Sequence, residues 1–239
     1  MISDEILHPH CRSNRRYELD AGEPQQRINL MSLPDQKIQF MTVEEYLSFE
    51  ESSAVRHEYL DGQVFAMSGT SLRHNIIAEN FHAILKSNLK GSPCKAFLLE
   101  VKVKIDSLNS FYYPDVVVSC TPMNTEAIFL ESPVLIAEIL SPSTAAIDRR
   151  EKLLSYGRIS SVREYIIIHQ STKRIEIFSK GDEPRFSASA VCLSGSFRLH
   201  SLPGAPVSVD IESVYEEVDW DQQADAAGIL REDAEIYTG

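Results

Sequence analysis

The chain of 239 residues has few cysteines and no long apolar segment. Its four cysteines, Cys11, Cys94, Cys120 and Cys192, are scattered without a CxxC pair, which argues against a cysteine zinc site. We expect reduced thiols, as is usual in the cytoplasm. No apolar run approaches the roughly 18 residues of a membrane span, and the first residues lack the basic and apolar regions of a signal peptide. These absences predict a cytoplasmic protein.

Basic residues are also scarce. The chain has 23 lysines and arginines against 35 acids, a net charge of −12. Residues 210–239 hold ten acids and one arginine, so this end alone contributes −9. The rest therefore carries only −3, which is compatible with a local basic surface. The chain still lacks the basic excess of a dedicated DNA-binding protein.

Three common catalytic motifs are absent as well. The sequence contains no phosphate-binding GxxxxGKS/T loop, no GxSxG nucleophile elbow and no HExxH zinc motif. Candidate chemistry must therefore come from residues outside these motifs.

Two carboxylates interrupt apolar runs. Asp115 lies in residues 113–118 and Glu138 in residues 134–140, and both runs are typical of buried strands. A buried charge costs several kcal/mol unless it is paired or binds a metal, and two such charges would repel each other. A shared divalent cation removes both penalties, and the carbonyl of Ile139 could add a third oxygen ligand. On this argument, Glu138→Gln should stabilise the metal-free protein.

Each carboxylate has an alternative interpretation. Asp115 fits a strand-start aspartate after a proline, and Glu138 fits a glutamate that is salt-bridged to a neighbouring lysine.

Three further residues are candidates because of their positions. Glu58 begins a predicted hairpin, His74 lies in the first turn of a predicted helix, and Lys152 follows the Glu138 strand. The alternatives are an exposed strand-end glutamate, a helix-surface histidine and a solvated lysine. Residues 145–163 hold five basic and two acidic residues, so a phosphate backbone could bind there.

The apolar pattern also predicts the secondary structure. A capping-box spacing at Thr42 and Glu45 predicts a first helix. Asp61-Gly62 between two apolar runs predicts a hairpin, and Ser71 is expected to cap a helix to about residue 90. Strands are predicted at residues 97–105, 112–120, 134–140, 164–169, 174–179, 188–193 and 207–211, and a helix after residue 141. This order predicts one mixed sheet with helices on its faces, an α/β or α+β sandwich.

The same pattern divides the chain into three segments. Residues 1–40 are polar without a steady period, and they predict an extension with the composition of a disordered segment. Residues 41–212 are expected to form one folded domain. Residues 213–239 are expected to form an acidic C-terminal tail.

One set of strings runs through the predicted domain. It comprises EYLDG at 58–62, RHN at 73–75, YPDVVV at 113–118, AEILSPST at 137–144, EYIII at 164–168, and Asp148, Lys152 and Tyr156 at spacings of four. Over residues 42–211 this set resembles the Uma family of restriction endonuclease-like proteins, which belongs with the PD-(D/E)xK nucleases. The resemblance implies a restriction-endonuclease-like mixed sheet flanked by helices.

The resemblance also implies Mg²⁺-dependent, or Mn²⁺-dependent, hydrolysis of DNA phosphodiester bonds. By this resemblance Asp115 and Glu138 would be the metal ligands and Glu58 an additional acid; the Ile139 carbonyl is the third ligand already suggested by the strand itself. With His74 and Lys152, these carboxylates complete the predicted catalytic set: Glu58, His74, Asp115, Glu138 and Lys152.

The chain departs from the superfamily pattern at two positions. Leu140 stands where a lysine is expected two residues after the glutamate, so Lys152 is the candidate for the missing charge, with Lys102 and Lys104 as rivals. His169 stands where relatives commonly end the strand with aspartate.

Two other functions remain open on these grounds. One is a catalytically silent DNA-binding or interaction module that keeps the fold, and the other is a metal-dependent hydrolase of a smaller phosphate ester. DNA is the expected partner, no membrane association is expected, and a homodimer is an open alternative.

Overall fold

The computed structural model describes residues 11–12, 40–141, 148–181, 185–202, 204 and 206–220. The strands of this part are β1 (Cys11–Arg12), β2 (His57–Leu60), β3 (Gln63–Ala66), β4 (Lys95–Leu98), β5 (Lys102–Ile105), β6 (Ser110–Tyr112), β7 (Val116–Ser119), β8 (Phe129–Leu130), β9 (Pro133–Leu140), β10 (Glu164–His169), β11 (Ile175–Ser179), β12 (Ser187–Cys192), β13 (Ser196–Leu199) and β14 (Val207–Asp210). Its helices are α1 (Val43–Ser52), α2 (Leu72–Asn88), α3 (Leu153–Gly157) and α4 (Ile211–Val214), with a 3-10 turn at Asp106–Leu108 and a π-helical turn at Asp148–Lys152.

The strands form three sheets. The largest has the order β1-β12-β11-β10-β9-β7-β4, the second has the order β3-β2-β6-β5-β8, and β13 pairs with β14. Within the largest sheet β9 runs parallel to β10 and antiparallel to β7. The α+β class and the mixed sheet are confirmed, but the strands form three sheets rather than the one expected.

The extra sheet arises because two predicted strands are broken. The predicted strand 97–105 divides at Leu99, whose φ of 58° turns the chain, so that β4 joins the largest sheet and β5 the second. The predicted strand 112–120 divides at Pro114, which has no N–H to donate to a sheet, so that β6 and β7 also separate. The Leu99 amide donates to the Asp115 carbonyl at 2.8 Å, which joins the two breaks.

The core lies on both faces of the largest sheet. On one face α2 buries Ile77, Phe81 and Leu85 against the alternate residues of β7, β9 and β10. On the other face the second sheet and Tyr156 of α3 pack against residues that include Ile136. Full burial of a side chain such as Phe81 contributes about 2–3 kcal/mol.

The cysteines correct a prediction. Cys11 is bonded to Cys192, and Cys94 to Cys120, although 181 and 26 residues separate them in sequence. The reason is strand register, since Cys11 faces Cys192 across the β1–β12 pair. Cys94 and Cys120 adjoin the Lys95–Ser119 pair of β4 and β7. The expectation of reduced thiols is therefore wrong. The cysteines then give no support to a cytoplasmic location.

The ends of the folded part differ from the predicted boundaries. Strand β1 lies within the predicted extension 1–40, and the rest of that extension before residue 40 lies outside the described residues. Val214, Tyr215 and Val218 are buried in the core, so packing continues beyond residue 212. Residues 221–239 of the predicted tail also lie outside the described part. No helix in the described part is long and apolar enough to cross a bilayer.

Candidate active site

The predicted site residues line one cavity of about 700 Å³. They are Glu58, His74, Asp115, Glu138, Ile139 and Lys152. The hairpin of β2 and β3 supplies a further wall through Leu60, Phe65 and Ala66. Residues up to 94 positions apart in sequence thus face a common space.

The cavity lies where the largest and second sheets diverge. Pro114 ends the connection from β6, and Asp115 directly precedes β7, so its carboxylate stands at the start of a buried strand. Glu138 lies within β9, beside β7, with Val116 opposite Ala137. The two carboxylates are adjacent because antiparallel neighbours bring these positions to the same level of the sheet.

One oxygen of the Asp115 carboxylate accepts a backbone hydrogen bond and also lies within ion-pair distance of a histidine. The backbone N–H of Ile139 donates to Oδ2 at 2.7 Å, and Nε2 of His74 lies 3.2 Å from the same oxygen. His74 is in the first turn of α2, where its own amide donates to the N-cap hydroxyl of Ser71. It is a buried residue, so the alternative of a helix-surface histidine is not found.

Glu138 is compensated by neighbouring side chains. Its Oε1 accepts hydrogen bonds from Lys152 Nζ at 3.1 Å and from the Tyr156 hydroxyl at 2.8 Å, and its Oε2 lies 3.4 Å from the Asp115 amide nitrogen. Burial, followed by the charge of Glu138, raises the pKa of Tyr156 well above its ordinary value, so this hydroxyl is a donor.

The alternative of a salt-bridged Glu138 is therefore also true. Burial alone does not require a metal at this residue, since Lys152 and Tyr156 compensate its charge. The expected stability gain for Glu138→Gln assumed an uncompensated charge at Glu138. Since that charge is compensated, we expect Glu138→Gln to lower the free energy of unfolding instead.

Lys152 lies between two carboxylates. Its Nζ is 3.1 Å from Glu138 Oε1 and 3.2 Å from Glu58 Oε1, and only 9% of its side chain is exposed. Glu58 Oε1 is buried and has no hydrogen bond of good geometry, so its contact with Lys152 is an ion pair rather than a directed bond. The ammonium also lies 6.0 Å from the Tyr112 ring centroid. The alternative of a solvated lysine is therefore not found.

The rival lysines lie elsewhere. Lys102 is buried with its ammonium 5.7 Å from the centre of the Tyr113 ring, and burial lowers its pKa. Lys104 pairs with Asp106 at 2.8 Å. Neither residue lines the cavity.

A supporting network was missed by the sequence analysis. The buried Glu50 of α1 accepts from the Tyr113 hydroxyl at 2.8 Å and from the His57 amide at 3.0 Å. These bonds fix the residues beside Glu58 and Asp115. The sequence pattern does not identify Glu50 as part of the site, because a buried glutamate and a solvated glutamate occupy similar positions in the sequence of a short amphipathic helix. Tyr156, by contrast, was indicated by the sequence, because its spacing of four residues from Lys152 places both side chains on one helix face.

The residues fit a hard divalent cation. Within the described residues, no three side chains of histidine, cysteine, aspartate or glutamate form a metal-binding group. Two neighbouring carboxylates and the Ile139 carbonyl are oxygen donors, and Mg²⁺ usually takes one or two carboxylates and keeps several waters. Asp115 Oδ1 accepts no hydrogen bond from the described part of the chain. This donor set suits Mg²⁺ or Mn²⁺ rather than a structural zinc ion.

A mixed sheet with helices on its faces and carboxylates at the start and middle of adjacent strands defines a restriction-endonuclease-like protein. The sequence model of the Uma2 family, described as "Putative restriction endonuclease", matches residues 43–209, and the chain belongs to this family.

Two relatives come from Synechocystis sp. (strain ATCC 27184 / PCC 6803 / Kazusa). "Uncharacterized protein slr1290" is 31% identical over 172 residues, which cover 72% of this chain and 90% of the relative. "Uncharacterized protein sll1609" is 31% identical over 143 residues, or 59% and 81% of the two chains.

A solved structure shares the fold. It is the crystal structure of "a putative nuclease belonging to DUF820 from Anabaena variabilis ATCC 29413", with a TM-score of 0.57 and 18% sequence identity. The match covers 73% of this chain and 97% of that one.

Proposed function

We propose that this protein is a Mg²⁺-dependent endonuclease that hydrolyses phosphodiester bonds of DNA. One observation carries the proposal: Asp115, Glu138 and Lys152 line one cavity, with the lysine ammonium 3.1 Å from Glu138. Membership of the Uma2 family and the fold shared with a nuclease support it.

Asp115, Glu138 and the Ile139 carbonyl would hold the cation. A cation held there would supply polarisation of a phosphoryl oxygen and a lower pKa for a coordinated water. Lys152 places a positive charge beside these carboxylates, where it can orient the attacking water or offset negative charge that develops on the phosphate. Glu58 would help to keep this ammonium in place, since its Oε1 lies 3.2 Å from Nζ.

The charge distribution is compatible with a DNA partner. Of the five basic residues in 145–163, Lys152 and Arg149 are engaged by carboxylates of the protein. Arg150, Arg158 and Arg163 are exposed. Arg150 directly precedes the cavity residues Glu151 and Lys152, so it is the one best placed to contact a phosphate near the cavity without a basic excess in the whole chain.

Two alternatives make different predictions. A silent module, the alternative raised by Leu140 in place of the usual lysine, would bind DNA without cleaving it. A hydrolase of a small phosphate ester would act on a substrate that fits entirely within the cavity of about 700 Å³. Plasmid nicking, DNA binding and hydrolysis of a small phosphodiester separate the three functions.

The decisive experiment measures metal binding and cleavage together. Mn²⁺ affinity by calorimetry and Mg²⁺-dependent plasmid nicking should both be lost in Asp115→Ala, while the surface variant Asp106→Ala should retain them. Equal Mn²⁺ affinity in Asp115→Ala and the parent would place the metal elsewhere. If the parent binds Mn²⁺ and DNA but does not nick, the silent module is the better account.

A further inference from the structure

The two oxygens of Asp115 have different surroundings. Oδ2 lies 2.7 Å from the Ile139 amide nitrogen and 3.2 Å from His74 Nε2. Oδ1 accepts no hydrogen bond from the described part of the chain, and the Asp115 side chain is 13% exposed. The residue lines the cavity, so one oxygen is held by the protein and the other is left for a ligand.

The His74 ring is fixed by the packing of α2. Ser71 caps the helix and accepts from the His74 amide, while Ile77 and Phe81 anchor the next turns in the core. The ring lines the cavity with only 6% of its side chain exposed. Its Nδ1 is buried without a hydrogen-bond partner, so a proton is better placed on Nε2, which faces Oδ2 of Asp115 at 3.2 Å.

We propose that His74 is a positioning residue: its Nε2, 3.2 Å from Oδ2 of Asp115, keeps that oxygen beside the Ile139 amide and thereby directs Oδ1 to the cation. This role deepens the proposed function, since the cation is part of it. An outer partner of this kind fixes the rotamer of a ligand, and its loss typically weakens metal binding about 10–100-fold. His74 itself touches neither substrate nor cation in this role.

Two substitutions at position 74 separate the hydrogen bond from the volume of the ring. In His74→Gln the side-chain amide can donate from about the place of Nε2, whereas His74→Leu has similar bulk and no donor. His82→Leu is the matched control, because His82 lies two turns further along α2 and contacts the Ala96 carbonyl, away from the cavity.

Two measurements test the role. Calorimetry with Mn²⁺ should give an affinity at least about tenfold weaker in His74→Leu, and within about threefold of the parent in His74→Gln and His82→Leu. Amide NMR without metal should show a shifted Ile139 N–H resonance in His74→Leu alone, because Oδ2 is no longer held beside that amide.

Parental Mn²⁺ affinity in His74→Leu, or a loss in His74→Gln as large as in His74→Leu, would overturn the role. If the parent itself binds no Mn²⁺, the proposed metal function fails, while the Ile139 resonance still decides whether His74 positions Asp115. Should His74→Leu not fold, His74→Asn replaces it, because its shorter amide lies near the place of Nδ1 and cannot reach Oδ2.

Discussion

Lys152 offers the most direct test of the site. Lys152→Met keeps the length of the buried stem and removes only the ammonium, so that Glu58 and Glu138 lose the charge that lies 3.2 and 3.1 Å away. We expect Mg²⁺-dependent cleavage to fall at least tenfold, which is about 1.4 kcal/mol of barrier. We expect Mn²⁺ binding to persist, because the site becomes more negative.

The geometry also sets the magnitude of the stability change. At 3.1 Å and an effective dielectric constant near 20, each ion pair is worth about 5 kcal/mol before the cost of desolvation. Removing one partner of a buried pair typically costs about 3–5 kcal/mol, since the other charge stays buried. We therefore expect Lys152→Met to lose about 3 kcal/mol of unfolding free energy without metal, part of which Mg²⁺ restores.

Two lysines provide matched controls. Lys102→Met removes an ammonium that is buried to a similar extent but lies outside the cavity, and Lys104→Met removes a surface charge. Plasmid nicking with Mg²⁺, calorimetry with Mn²⁺ and urea unfolding should be measured on all three variants. The controls should change nicking much less than Lys152→Met does.

A second-site variant sharpens the test. Leu140 lies two residues after Glu138 on β9, so their side chains point to the same face of the sheet. Leu140→Lys in the Lys152→Met background should therefore recover part of the cleavage. Parental nicking by Lys152→Met, with an inactive Lys102→Met or Lys104→Met, would refute the reasoning. If no variant and no parent cleaves any DNA, the silent module gains support.

Three further predictions follow from the described contacts. Tyr156→Phe removes a donor to the buried Glu138 and should lower the unfolding free energy by about 2 kcal/mol in urea titrations; an unchanged midpoint would contradict this. Burial alone would raise the pKa of Glu176, but its hydrogen bond with His169 and the charges of Arg149 and Arg174 outweigh burial, so the pKa is lowered. Glu176 therefore stabilises the fold at pH values above its ordinary pKa of 4.5. The stability lost in Glu176→Gln should therefore shrink as the pH falls below about 4.5, and a constant difference would count against the pairing. Deleting residues 221–239, which are rich in acids, should strengthen non-specific DNA binding at low salt. Weaker or equal DNA binding would show that this segment does not screen the folded domain from the negative charge of DNA.

Local signals predicted the elements that position the site. The capping box at Thr42 and Glu45 begins α1, and Ser71 caps α2. Asp61 and Gly62 both have positive φ, 45° and 95°, in the two-residue turn of the predicted hairpin. Each feature depends on contacts within about four residues, so the sequence pattern is sufficient.

Features that depend on distant pairing could not be predicted in this way. The breaks at Leu99 and Pro114 send neighbouring parts of one apolar run to different sheets, and periodicity does not show which sheet a strand joins. The bond between Cys94 and Cys120 has the same origin, since the register of β4 and β7 brings the two residues together. The buried state of His74 also depends on packing against Asp115, which no local pattern indicates.

The position of Lys152 connects the sequence departure with the geometry of the cavity. Leu140 is buried with Ile136 and Tyr165 in the core between the two larger sheets, so this position stabilises the fold. The π-helical turn at Asp148–Lys152 brings Lys152 over the same face of β9, and its ammonium reaches the oxygen of Glu138 that Tyr156 also holds. A positive charge thus lies beside the strand glutamate although it comes from another element. Because a fixed charge acts through distance rather than sequence position, the absence of a lysine at position 140 does not by itself argue for a silent protein.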